Sequence, residues 1–234
     1  MRNMPSGIAL AIWILGMSAG VCFVSISFIR GSFLKYFFLN LYVILSLLAD
    51  LLRQYVLNFH GLESPQYLYT YYYTDCLLTV ALFVAVISLA SRVFAELHLA
   101  RYVRLVAVLL LLGTAGFSYA VVAQSTERLA TGFALELSQN LYFVGLVLTY
   151  LLWGAVLKLH ETRTRLVQMV LSLGLYFSAY AGSYALVNLA PKYEVVQYLA
   201  PVLGCFLPIS WSLTIWRHSE DARLTPARLV AVPR

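Results

Sequence analysis

Apolar residues run through this chain in blocks of about twenty or more, and the polar, Gly and Pro positions between them are brief. A helix rising about 1.5 Å per residue needs about 20 apolar residues to cross about 30 Å of hydrocarbon. The blocks therefore predict seven transmembrane helices, over residues 8–29, 34–58, 66–90, 103–123, 133–157, 167–190 and 195–216. Connectors such as residues 61–65 and 191–194 are so short that sequence neighbours become antiparallel neighbours in space. The expected fold class is all-α: one integral membrane bundle over residues 1–217, then a short cytoplasmic tail, 218–234.

Residues 1–6 make a short basic start, and Ser18, Ala19 and Gly20 are small, which outlines a cleaved signal peptide. The apolar run continues to Ile29 with no small-x-small cleavage site, so the first block is expected to be retained as a helix. Composition agrees with a membrane bundle. Of 234 residues, 62% are hydrophobic and 11% charged, against about 25% charged in soluble domains.

A net charge of +6 raises the question of nucleic acid, but its distribution answers otherwise. With the N-terminus outside, the cytoplasmic side holds Arg30, Lys35, Arg92, Arg101, Arg104, Lys158, Arg163, Arg165, Arg217, Arg223, Arg228 and Arg234. The outer side holds only Arg2, Arg128 and Lys192. That is the Lys/Arg bias that orients helices during insertion. It predicts a multi-pass protein of the cell inner (cytoplasmic) membrane with the C-terminus inside, and no nucleic-acid partner.

In hydrocarbon the informative residues are the polar ones, because a charge near the bilayer centre costs about 2.5–3.5 kcal/mol on insertion scales. Asp50, Arg53, Asp75 and Glu136 stand out. Asp50 and Arg53 share a face of the second helix, with Gln54 one turn beyond Asp50. Asp75 lies about nine residues into the third helix, and Glu136 opens the fifth, followed by Gln139 and Asn140. All belong to the outer halves of their helices, where Asn58, His60, Asn188 and Gln197 add further polarity. Three arrangements account for this: an outward-facing ligand or ion pocket; an Arg53 pairing with Asp50 or Asp75 that specifies helix packing; or a helix boundary leaving residues 50–58 at the interface.

Tyr67, Tyr69, Tyr71, Tyr72 and Tyr73 crowd the start of the third helix. Part of this is the interfacial aromatic belt, but five tyrosines in seven residues must point several ways. Tyr71 and Tyr72 fall on Asp75's side, where hydroxyls or ring faces suit a ligand, including a cationic one. In the sixth helix Ser178, Ala179, Ala181, Gly182 and Ser183 predict close helix contact. Pro201 and Pro208 in the seventh predict a kink or a locally unwound turn.

Signatures of catalysis are missing. The four histidines sit near helix ends or in loops, HExxH and the P-loop are absent, and Ser183 has no histidine at its depth. Asp50 and Asp75 lack the G-x-G-D setting of intramembrane aspartyl proteases, and residues 195–216 hold no lysine for a retinal Schiff base. Cys22, Cys76 and Cys205 are unpaired in spacing. No enzyme activity, metal or cofactor is expected.

Glu63, Gln66, Tyr67 and Leu68 before the third helix match Glu194, Gln197, Tyr198 and Leu199 before the seventh. Tyr55 and Asn58 are loosely echoed by Tyr184 and Asn188. Helices one to three would correspond to five to seven with the fourth as linker, as in the parallel repeats of SWEET sugar transporters. The Pro-Gln dipeptide of that family belongs in helices, however, and Pro65-Gln66 lies in a loop. Residues 67–94, aromatic-rich with Asp75 and closing on Ser91, Arg92, Val93 and Phe94, resemble uncharacterised small bacterial seven-helix membrane proteins. Those are similar to membrane sensor regions of histidine kinases. The resemblance implies a sensor-like module and carries over no site residue.

The expected function is thus sensor- or receptor-like, with a small ligand bound in an outer polar pocket and a cytoplasmic or membrane protein partner receiving the signal. Asp50, Arg53, Asp75, Glu136, Tyr71, Tyr72, Gln139 and Asn140 are the candidate ligand-binding residues. A small-solute or proton-coupled transporter is the alternative, and a structural or assembly subunit the third reading.

Overall fold

The computed structural model describes residues 6–61, 63–97, 100–124, 129–158, 163–189 and 199–219. Glu194, Gln197 and Tyr198 of the repeat, Arg2, Arg128, Lys192, the tail beyond residue 219 and the side chain of Asn188 lie outside the described residues. The described residues form seven α-helices: α1 Ser6–Ile29, α2 Phe37–His60, α3 Pro65–Val93, α4 Ala100–Ala123, α5 Leu129–Lys158, α6 Thr164–Leu189 and α7 Leu199–Arg217. A 3-10 turn, Phe94–Leu97, follows α3.

The architecture is all-helical, and among the described residues the five helices α1 to α5 are long and apolar enough to cross a membrane. Their outer faces fit that solvent. Phe28, Phe143 and Leu157 are each at least 67% exposed, an arrangement that water-soluble monomers avoid over large areas.

Local chemistry explains where the helices stop and start. At the end of α1, Gly31 takes φ +61°, while its N–H donates to the Phe28 carbonyl and that of Ser32 to the Ser27 carbonyl. This is a Schellman ending, which favours glycine because L side chains resist positive φ. It delays α2 to Phe37, three residues later than the apolar run suggests. Gly61, at φ +78°, ends α2. Ser64 then caps α3 by accepting from the Tyr67 N–H at 3.1 Å, with Pro65 in the first helical turn. α5 begins at Leu129, so Glu136 lies two turns inside it and does not open it. α7 stays helical through Pro201 and Pro208, without an unwound turn.

Six helices close a circuit in which α1 packs on α2, α2 on α3, α3 on α5, α5 on α6, α6 on α7 and α7 back on α1. α4 packs on α3 and α5 from outside that circuit. The main core draws on the six, with Phe23, Leu39, Leu82, Leu89, Leu152, Met169, Leu173 and Trp211 buried together. α4 contributes Ala107 to a smaller cluster with Phe83, Leu137 and Leu141.

α5 and α6 interlock through two glycines. A Cβ on Gly145 would stand 2.8 Å from the Phe177 ring, and one on Gly174 would overlap the Trp153 indole. With no Cβ in the way, Trp153 reaches the α6 backbone and donates to the Val170 carbonyl at 2.9 Å. Of the small residues expected to make close contact, Ser178 meets the Tyr150 hydroxyl of α5 at 2.9 Å and the Ser183 side chain lies outside the described residues, but Ala179, Ala181 and Gly182 are exposed, and a Cβ on Gly182 would meet nothing within 4 Å. Contact is tight where a bulky ring opposes the glycine, and at Gly182 none does. Gly174→Ala is therefore expected to lower stability by about 1–3 kcal/mol through overpacking, whereas Gly182→Ala leaves it unchanged or raises it. Thermal unfolding of both variants in mild detergent checks this.

Candidate functional site

The four-residue connection between α2 and α3 sets the two helices antiparallel and in register, with Arg53 eight residues before Gly61 and Thr74 nine after Pro65. Similar path lengths from one tight turn bring the two side chains near one level. Arg53 Nε donates to Thr74 Oγ1 at 2.7 Å and Nη2 to the Tyr71 carbonyl at 3.4 Å. Its guanidinium lies over the Tyr71 ring, 4.6 Å from the centroid, a cation–π contact strengthened wherever water is scarce.

Asp50 and Asp75 both lie within electrostatic reach of Arg53. Arg53 thus faces two carboxyls, while its hydrogen bonds among the described residues go to Thr74 and Tyr71. Asp75 also lies beside the Ser138 side chain of α5, which places it where α3 meets α5. Asp50, Arg53 and Asp75 are all half-buried. The three charges therefore gather on the α2–α3 seam with α5 closing one side.

Tyr72 packs edge-on against Tyr71 at 6.0 Å, and Tyr67 stacks one turn above Tyr71 at 6.5 Å. Tyr69 and Tyr73 pair separately, at 6.5 Å and 21° between planes, on another side of α3. The tyrosine-rich end thus divides into two ladders, and only the one containing Tyr71 supports Arg53.

The candidates on α5 diverge. Glu136 is half-buried. Asn140 turns to α4 and donates to Ser118 Oγ at 3.0 Å. Gln139 is exposed and lines a groove of about 360 Å³ between α5 and α6, with Tyr142, Phe143, Phe177, Tyr180 and Ala181. Successive helix residues are about 100° apart, so Gln139 and Asn140 necessarily serve different faces.

Sequence reasoning passed over a chain of tyrosines that joins this groove to the charges. Tyr180 stacks on Tyr142 at 4.9 Å and 15°. The Tyr142 side chain neighbours Tyr176, and Tyr176 neighbours Tyr42. Tyr42 lies within electrostatic reach of Asp50, Arg53 and Asp75. Tyr176 is buried at 3% exposure, so its hydroxyl depends on these neighbours. The available signal was position: Tyr42, Tyr142 and Tyr176 stand five or more residues inside their helices, away from the ends where interfacial tyrosines gather.

Two carboxyls facing one arginine, beside aromatic rings and a hydroxyl chain, suit a polar solute bearing a cation. Among the described residues no group of three or more His, Cys, Asp and Glu side chains is placed to hold a metal ion. Compared with models of known protein families, with curated proteins and with solved structures, the chain matches none.

Proposed function

We propose that this protein is a seven-span sensor of the inner membrane that binds a small cationic solute at Asp50, Asp75, Arg53 and Tyr71. The observation that carries this is the Asp50–Arg53–Asp75 cluster, half-buried at one depth and joined through Tyr42, Tyr176 and Tyr142 to α6 and α5. In this reading α6 and α7 span the membrane with the other five. The tyrosine-rich end of α3 faces outward and the Arg/Lys-rich ends of α1, α3, α5 and α7 face the cytoplasm, as the basic bias of the loops favours. A bound cation offsets the excess negative charge, draws α2 and α3 toward α5, and passes the shift through the tyrosines to α6. A protein partner at the basic end reads that movement. The resemblance of residues 67–94 to small bacterial seven-helix proteins, themselves similar to kinase sensor regions, favours the same class.

The test is a thermal-shift screen of the purified chain against organic ammonium cations: the quaternary choline and the protonated amines putrescine and spermidine. A compound at about a hundredfold excess over its Kd stabilises by about 2.7 kcal/mol. The stabilisation is expected to vanish in Asp75→Asn and to persist in Asn140→Ala, whose amide serves α4. If no amine shifts the wild type and Asp75→Asn merely melts lower, the charges are packing elements and the sensor reading fails.

Transport is the second reading, favoured by the closed circuit of α1–α3 with α5–α7 and by α4 lying outside it, the layout a 3+1+3 repeat requires. Amine uptake into proteoliposomes separates the two, since a sensor binds without flux.

A further inference from the structure

α2 and α4 both pack on α3 and leave a gap between them at the Arg/Lys-rich end. It is a groove of about 730 Å³. We propose that it binds one anionic phospholipid from the leaflet at that end. The site is separate from the charged cluster and does not depend on the sensor reading.

The lining is amphiphilic in the order a lipid is. Lys35, Arg92 and Arg104 stand at the mouth, and among the described residues the charged ones that line the groove are these three, all basic. Lys35 precedes α2, Arg92 is the penultimate residue of α3 and Arg104 lies in the second turn of α4, so all three sit at helix ends on one side of the bundle. Ser88 and Ser91 bring hydroxyls to the α3 floor just below them. Deeper still the walls are apolar, with Phe83, Val84, Ile87, Val108 and Leu111.

Depth matches as well. From Arg92 to Phe83 the floor descends nine residues, about 13 Å of helix, against about 15 Å for half of a hydrocarbon core. The groove therefore accommodates an acyl chain along its length and holds the phosphate at its basic mouth. Arg92 is pre-oriented for this: it donates to the Lys35 carbonyl and its guanidinium lies over the Tyr36 ring, 5.0 Å from the centroid. Arg104 is exposed at the rim. Basic pockets between spanning helices of this kind recognise anionic headgroups, and each Lys or Arg near the surface adds to the attraction.

Native mass spectrometry of the full chain, delipidated and titrated with phosphatidylglycerol or phosphatidylcholine of identical acyl chains, tests the proposal. The wild type is expected to hold one phosphatidylglycerol with more than about tenfold preference. Arg104→Ala lowers that preference about fivefold by removing one cation. Val108→Trp fills the groove and removes the retained lipid of either class. Each variant is compared at matched thermal stability, and whichever folds like the wild type carries the test. Equal retention of the two lipids by the wild type overturns the proposal, as does an unchanged preference in the folded variants. Displacement of the lipid by millimolar inorganic phosphate also overturns it, because the site would then recognise phosphate without the chain.

Discussion

Arg165→Met is expected to destabilise the protein by about 2–5 kcal/mol. Arg165, in the first turn of α6, is only 5% exposed, an unusual place for a guanidinium. It donates from Nε to the His218 carbonyl at 3.1 Å and from Nη2 to the Ile215 and His218 carbonyls at 3.2 and 2.6 Å. A further bond runs from Nη1 to Ser32 Oγ at 2.9 Å. These acceptors sit at the C-terminal end of α7, whose last carbonyls have no partner within the helix and carry the negative end of its dipole. Arg30 joins from the end of α1, donating to the Trp216 carbonyl at 3.1 Å and lying over the Trp216 ring.

Methionine keeps the volume and takes the guanidinium away from the Ile215 and His218 carbonyls, at about 1–3 kcal/mol each where no water enters. Lysine restores the charge without the planar fork and is expected to recover only part of the loss. Thermal unfolding of Arg165→Met and Arg165→Lys in mild detergent decides the point. A methionine variant within about 0.5 kcal/mol of wild type, the range of an ordinary surface substitution, would show that water replaces the guanidinium.

Trp211→Ala is expected to cost about 3–5 kcal/mol, the range for removing a large aromatic from a packed core. Trp211 on α7 is fully buried. Its ring meets Phe23 of α1 at 5.7 Å and Tyr42 of α2 at 6.2 Å, and its Nε1–H donates to Ser172 Oγ of α6 at 2.9 Å. One side chain therefore joins four helices. Lipid is as apolar as the core, so the loss arises from vanished contacts and the cavity left behind rather than from transfer out of water. Trp211→Phe retains most of the contact area and forfeits mainly the hydrogen bond, about 1 kcal/mol. Because Tyr42 loses its neighbour in the alanine variant, any amine-induced stabilisation should also weaken there. A Trp211→Ala protein that melts with the wild type would mean that the surrounding helices collapse to fill the space.

The basic end shows how one residue serves two levels of organisation. Lys and Arg concentrated in alternate loops read directly as an orientation signal, since each loop is a contiguous stretch of chain. That Arg163 donates to the Arg92 carbonyl at the end of α3, at 3.1 Å, and that Arg165 closes α7, cannot be read that way. Arg165 and His218 are 53 positions apart, and only the packing of α6 on α7 brings them together.

What the sequence determined by itself is local. Apolar length set the seven helices to within a few residues, the Gly61, Ser64 and Pro65 signals set the turn between α2 and α3, and that turn makes Arg53 and Tyr71 neighbours. The rotation of each helix was decided by tertiary structure alone. In water one face of a helix must be polar, so periodicity reveals which side is buried. In a bilayer the lipid side and the core side are both apolar, and periodicity falls silent. That is why Gln139 and Asn140 read as one polar patch although one lines a groove and the other serves α4. It is also why Tyr42, Tyr142 and Tyr176, scattered over three helices, became a connected chain only when those helices met.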